Sequence, residues 1–347
     1  LLDKALARAG WDALQGELGR RRAAGEAVGA GVAVFVEKSG LGPRDTAHVT
    51  VDGTGGVEVV TGSASSGQGV ETVMAQICAD ALGVDYRRVR VIHGQTERIA
   101  RGIGAHAARA TVMTGSAVHV AASNVRAKAL AAAAGLMQVP AEALDVVDGK
   151  VIRRDSPDAI SMDLGEVARA VEGTPRALTA EGTFVTEHMT YPYGVQIAVV
   201  RVDRDTGGVA VERSLLAFDV GRAVNPMLVE GQLAGGYAQG LGGALLEEFR
   251  YDERGQPLSV TFADYLQATA CEMPALEILL TQDAPSPLNP LGIKGAGEGG
   301  IPAVGAALAS AIDDAIGIPG AVTSLPVTPV RLKEILDRAA AGAKPKP

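Results

Sequence analysis

Only two cysteines, Cys78 and Cys271, occur in 347 residues, far apart and without CxxC spacing. A disulfide framework and a structural zinc site are therefore not indicated, and a reducing cytoplasm is the expected setting. Aromatics are scarce, with one tryptophan, six tyrosines and five phenylalanines. No apolar run approaches the roughly 18 residues that a membrane-spanning helix needs. The opening stretch LLDKALARAGWDAL has no basic leader, apolar centre or small-residue cleavage site, so no export signal is read there, although a chain that starts without methionine reads as trimmed or as part of something longer. Basic charge is in the minority: 32 Lys and Arg face 40 Asp and Glu, a formal charge of −8, so the average surface repels nucleic acid. The one basic cluster, Arg20 to Arg22, sits on a helix-like segment that also carries Glu17 and reads as a solvated face.

Glycine is what the chain has in excess. Its 44 glycines are nearly twice the usual share of roughly 7%. There is no G-X-Y period, so collagen is excluded and turns or close backbone approaches are implied.

Apolar spacing predicts an amphipathic helix over 3–24, followed by GVAVFVEKS, TAHVTVDGTG and VEVVTGS as an antiparallel meander. The third strand enters the helix VETVMAQICADALGV through SASSGQG and returns in RVRVIHG, a β–turn–α–β unit. An alanine-rich helix over 109–137 and a small strand–helix unit lead to an expected boundary near Gly173. The second half reads as strands RALTAEGTFV, GVQIAVVRV and VAVERSLLAFDVG, the last two joined by an Asp-Thr-Gly-Gly hairpin. Then come a glycine-heavy helix from Pro226, strand candidates around Ser259 and Leu276, the loop DAPSPLNPLGIKGAGEGG and a helix AVGAALASAIDDAIG. Each glycine in the helix from Pro226 costs up to about 1 kcal/mol relative to alanine, so something must press close to its backbone. The expectation is an α+β protein of two related α/β lobes, 1–173 and 174–347.

GAGEGG at 295–300 matches GxGxxG, but the prolines before it rule out the strand that a dinucleotide fingerprint requires. The five histidines form no metal-ligand pair at i, i+4 spacing, and only His106, within a glycine-containing loop, stands out. No GxSxG is present, so a serine nucleophile has no support. What recurs is a polar or glycine-rich loop running into a helix start, at 63–72, 101–117 and 292–300, with a fourth Gly/Gln-rich helix at 230–245. Helix N-termini with free N–H groups bind anions, so one large phosphate-bearing cofactor could be held by all four.

On these residues the chain resembles the cofactor-binding large subunit of the molybdenum hydroxylases, the family of xanthine dehydrogenase, aldehyde oxidase and the carbon monoxide dehydrogenase large subunit. The motifs, in family order, are GQG at 67–69 followed by Glu71-Thr72, ARAT at 108–111, DVGRAVNP at 219–226, EGQLAGGYAQGLG at 230–242 and KGAGEGG at 294–300. The resemblance implies that Gly67, Gln68 and Gly69 hold the molybdenum end of a molybdenum–molybdopterin cofactor, with the cytosine dinucleotide form as one option. It implies that Arg109, Ala110, Thr111, Val112 and Met113 line the pyranopterin and its phosphate, that Gln232 touches the pterin, and that Glu298 is the catalytic base. No residue would bind molybdenum directly.

The implied reaction is hydroxylation of an electron-poor carbon, in an aldehyde or an N-heterocycle, with oxygen from water. Electrons would leave through [2Fe–2S] centres to FAD on partner subunits, since no cysteine set here could hold a cluster. The chain corresponds to the C-terminal part of the family's large subunit. The hammerhead domain and GGxFG segment are expected on a separate chain carrying the N-terminal half, and activity only in that company. Ala108 stands where a serine is common. A non-catalytic scaffold or cofactor carrier that kept the fold is the alternative.

Overall fold

In the computed structural model, residues 1–157 and 161–342 are described. The chain opens with two helices, α1 (Leu2–Ala9) and α2 (Trp11–Ala23), where the sequence predicted one; Gly10 takes a left-handed conformation and breaks it. Strands β1 (Val28–Val36), β2 (Arg44–Val51) and β3 (Val57–Thr61) follow, then α3 (Val70–Leu82) and β4 (Val89–Ile92). After a loop, a π-helical turn at Ala110–Thr114 runs into α4 (Gly115–Met137). A small unit comprises β5 (Leu144–Val147), β6 (Lys150–Arg153), β7 (Met162–Asp163) and α5 (Leu164–Val171). The rest is β8 (Thr179–Val185), β9 (Tyr193–Val202), β10 (Val209–Asp219), α6 (Pro226–Leu245), β11 (Leu276–Thr281), α7 (Val304–Ile316) and α8 (Pro329–Ala340).

The expected meander is not formed. β2 and β3 pair antiparallel, but β1 leaves them for the other sheet, so the orders are β4-β3-β2-β8 and β1-β9-β10-β11. The hairpin pairing of β9 with β10 and the parallel pairing of β3 with β4 across α3 follow the sequence reading. Ser259 lies in no strand, whereas Leu276 begins β11. Sheet membership also does not divide at residue 173: β1 joins the later strands and β8 joins the earlier ones.

The physical reason lies in β9. Its odd residues Val195, Ile197 and Val199 pack under α1 and α2, while Ala198, Val200 and Val202 face the core beneath α7. A strand covered on both faces needs a covered neighbour, and β1 supplies one in its first half, where Val28 and Ala30 pack with Val199 against α2, while Val34 and Val36 at its far end are exposed. Gly29 and Gly31 let α7 lie directly on β1; a Cβ at either would sit under 2.4 Å from an α7 carbonyl. The first sheet is simpler, with Ala47, Val49 and Val51 turned to a core beneath α3, α4 and α5.

Candidate functional site

Loops and helix starts enclose a cavity of about 280 Å³. Residues from all four loop-to-helix segments line it: Gln68 from the first, Ala105 to Thr111 from the second, Arg222 to Gln232 from the start of α6, and Ile293 to Glu298 from the last loop.

Each wall is fixed by a different device. At the start of α3, Gly69 is the left-handed N-cap (φ 81°), and Gln68 turns its Oε1 back to accept from Ser66 N at 2.5 Å, which leaves its amide nitrogen for the cavity. α6 begins with Asn225 capping Leu228 N at 3.1 Å and Pro226 in the first turn, while Asn225 Nδ2 donates to Gln76 Oε1 on α3 at 3.1 Å. The N-cap of α6 is thereby tied to the middle of α3.

The third wall is held from below. Ala107 and Ala108 both have positive φ, 48° and 47°, an uncommon conformation for alanine that persists only where the surroundings enforce it. Arg109 does so. Its guanidinium is fully buried, 3.0 Å from Asp45, and donates to the carbonyls of Leu41 (2.7 Å), Gly104 (2.8 Å) and Arg44 (3.2 Å). Asp45 also accepts from Thr114 Oγ1 at 2.6 Å.

In the last loop, Lys294 donates to Asp219 at 2.9 Å and lies over the Tyr193 ring, while its N–H bonds Val220 O. Burial opposes ionisation of Asp219, but the Lys294 ammonium and the N–H groups of Asp283 and Gly221 outweigh it and hold the carboxyl below its usual range. Gly295 N donates to Ser39 Oγ at 3.0 Å. Beyond Glu298, Gly300 packs against Gly236 of α6, where a Cβ would meet Gly300 Cα at 3.0 Å. This is the close approach that the glycine-heavy helix called for.

Of the residues singled out in the sequence, Gln68, Arg109, Ala110, Thr111, Gln232 and Glu298 line the cavity, as does His106. Glu298 is exposed there. Gly67 and Gly69 shape the loop behind Gln68 but are not part of the lining, and Val112 and Met113 are buried in a cluster with Ile293. The π-helical turn explains this, since it carries 112 and 113 into the core while 109–111 stay at the surface of the cavity. Arg109 contributes through position and support, because its charged end is committed to Asp45 and three carbonyls. Lining residues not singled out individually are Arg222, Asn225 and Lys294, all within the motifs named above. Glu37, just past the end of β1, is not in the lining but lies against Glu298 behind it, and nothing in the sequence signalled that. Among the described residues, no group of three or more His, Cys, Asp or Glu side chains could hold a metal ion, and no helix is long and apolar enough to cross a membrane.

Comparison with known proteins shows the family and fold to which the chain is similar. The family described as a molybdopterin cofactor-binding domain matches residues 4–274. The 6-hydroxypseudooxynicotine dehydrogenase complex subunit gamma of Paenarthrobacter nicotinovorans is 42% identical over 320 residues, covering 90% of this chain and 40% of that protein. Quinoline 2-oxidoreductase from Pseudomonas putida 86 superposes with a TM-score of 0.89 at 34% identity, covering 96% of this chain and 45% of its own. The reconstituted CO dehydrogenase from Oligotropha carboxidovorans superposes at 0.91 with 30% identity, covering 98% and 45%. The chain thus spans about 40% of the length of the first of these relatives.

Proposed function

Because the chain belongs to the molybdopterin cofactor-binding domain family of the molybdenum hydroxylases, we propose that it is the C-terminal half of a catalytic subunit that oxidatively hydroxylates an electron-poor carbon of an aldehyde or N-heterocycle. The observation that carries this reading is the convergence of Gln68, the 105–111 loop, Gln232 and Glu298 on one cavity from four separate stretches of chain.

The residues fit a pterin-borne group. Two helix N-termini and the N–H groups around the left-handed Ala107 and Ala108 provide donors for a phosphate and a polar heterocycle. The cavity is close to the lower end of the usual size for a cofactor site. When bound, the molybdenum–molybdopterin group supplies the redox chemistry that the chain's own side chains lack. Gln68 and Gln232 would hydrogen-bond it, the backbone of 109–111 would lie along it, and Arg222 would add positive charge for a phosphate, in the plain or cytosine dinucleotide form.

Glu298 is the candidate base. It stands in the cavity on a glycine-rich loop and can take the proton released as oxygen is transferred to the substrate carbon. The segments 1–173 and 174–347 would act as two walls of one pocket. The remainder of the subunit, a [2Fe–2S] subunit and an FAD subunit would complete the site and remove the electrons.

The test is metal and pterin analysis of the chain co-purified with its partner subunits. Stoichiometric molybdenum and pterin, with substrate-dependent reduction of the partner centres, is the expected result. Absence of molybdenum from the assembled complex overturns the reading, and molybdenum without substrate-dependent reduction points to a carrier.

A further inference from the structure

Glu37 follows the last residue of β1, and it is a glutamate with nowhere to put its charge. Both carboxylate oxygens are buried and find no donor among the described residues; the side chain within hydrogen-bonding reach is the Glu298 carboxyl, itself only an acceptor when ionised. The lysine next to it, Lys38, is exposed, and the nearby Lys294 is committed to Asp219. A buried carboxyl left this way is costly, and such groups in native structures call for an explanation.

The surroundings supply one. Two residues before it, Phe35 stacks on Phe218 with ring centroids 6.1 Å apart, and the Phe218 ring lies directly beneath Gly299, where a Cβ would meet it at 2.5 Å. Two residues after it, Ser39 receives the N–H of Gly295. The strand end therefore runs beneath the loop 295–299, clamped at both ends, and Glu37 lies at the middle of the span opposite Glu298. Glu298 is the one titratable neighbour whose charge bears on it among the described residues.

We propose that Glu37 and Glu298 share a single proton, and that Glu37 is the positioning residue which holds this proton and donates it in a hydrogen bond to an ionised Glu298. Two carboxylates at one site cannot both ionise freely, so the buried member keeps the proton and the cavity-facing member keeps the charge. Burial first, and then the charge of Glu298, push the Glu37 carboxyl up to about 7. The role as positioning residue rests on the assignment of Glu298 as the base; the shared proton does not.

The experiment is a carbon-13 NMR titration of the full chain, labelled at the glutamate side-chain carboxyls. The resonance missing from Glu37→Gln identifies Glu37. It is expected to titrate near neutral pH, and in Glu298→Gln its midpoint should fall toward the ordinary glutamate range without reaching it, because burial remains. A Glu37 midpoint in the ordinary range, or one unmoved by Glu298→Gln, overturns the proposal. In the assembled complex, Glu37→Leu should shift the acid limb of kcat/KM to higher pH, whereas Glu37→Gln, which still donates, should leave that limb in place. Equal profiles for Leu and Gln overturn the positioning role. Full turnover by Glu298→Gln with the NMR shift present would remove the base assignment while supporting the shared proton.

Discussion

Arg109 and Asp45 form an ion pair at 3.0 Å in which neither side chain has any exposure to solvent. Such a pair contributes little against an apolar replacement of the same shape, yet removing one partner leaves a buried charge alone. Here the pair also anchors three backbone carbonyls and the Thr114 hydroxyl, and so fixes the strained turn at Ala107 and Ala108. Arg109→Ala is expected to destabilise the chain by about 3–5 kcal/mol, read from urea unfolding. If Arg109→Ala unfolds at the wild-type midpoint and loses only cofactor, Arg109 is a ligand contact and its role as a support is wrong.

Gly69→Val should lower the molybdenum content of the assembled complex. The residue has φ 81°, and a Cβ there would lie 2.8 Å from Leu228 on α6, so a branched side chain strains the backbone and pushes the two helix starts apart. Gln68→Ala removes the brace to Ser66 and the amide facing the cavity, with the same outcome and a smaller effect on folding. Metal analysis of both variants decides; full occupancy in both counts against this placement of the site.

Glu298→Gln keeps the size of the side chain and cannot accept a proton. Turnover of the assembled enzyme should fall roughly 10²- to 10⁴-fold in kcat with little change in molybdenum content. The reductive half-reaction, followed by bleaching of iron–sulfur and flavin absorbance, measures it. A wild-type rate excludes Glu298 as the base.

Glu37 makes stability depend on pH with a definite sign. Its folded value is raised to about 7, above the ordinary 4.5, so its contribution is fully present below about 4.5 and is lost as pH rises through 7. Glu37→Gln should flatten that part of the stability curve and unfold at a higher temperature than wild type at pH 8. Parallel melting curves for the two proteins from pH 5 to 8 would contradict this.

The two thiols should behave oppositely toward a thiol reagent. Burial pushes the Cys78 thiol up to about 12, in the core between α3 and the first sheet, whereas Cys271 is exposed. One thiol is expected to react in the native chain and both in denaturant. Two reactive thiols in the native state would mean that α3 opens readily.

Much of the local structure was legible in the sequence because it depends on near neighbours. The β3–α3–β4 unit follows from a switch from period two to helical spacing across SASSGQG, and the β9–β10 hairpin from Asp-Thr-Gly-Gly. Glycine crowding in α6 implied a close backbone approach, and Gly236 against Gly300 is that contact. The motifs, with Gln68, Gln232 and Glu298 among them, marked segments that converge on one cavity, because helix starts and glycine loops are set by local spacing.

What the sequence could not decide was which surfaces meet. Val28 and Ala30 look the same whether β1 pairs with β2 or with β9, and only the need to cover both faces of β9 under α1, α2 and α7 selects the second. Val112 and Met113 turn inward because a π-helical turn changes the phase of the chain by one residue, which composition does not reveal. Glu37 is an ordinary strand-end glutamate until Phe35, Phe218, Ser39 and Gly295 clamp it beneath the loop of Glu298, 261 residues along the chain. Spacing along the chain sets what a segment can form alone; burial, and with it the protonation of a carboxyl, depends on distant segments that only the folded chain brings together.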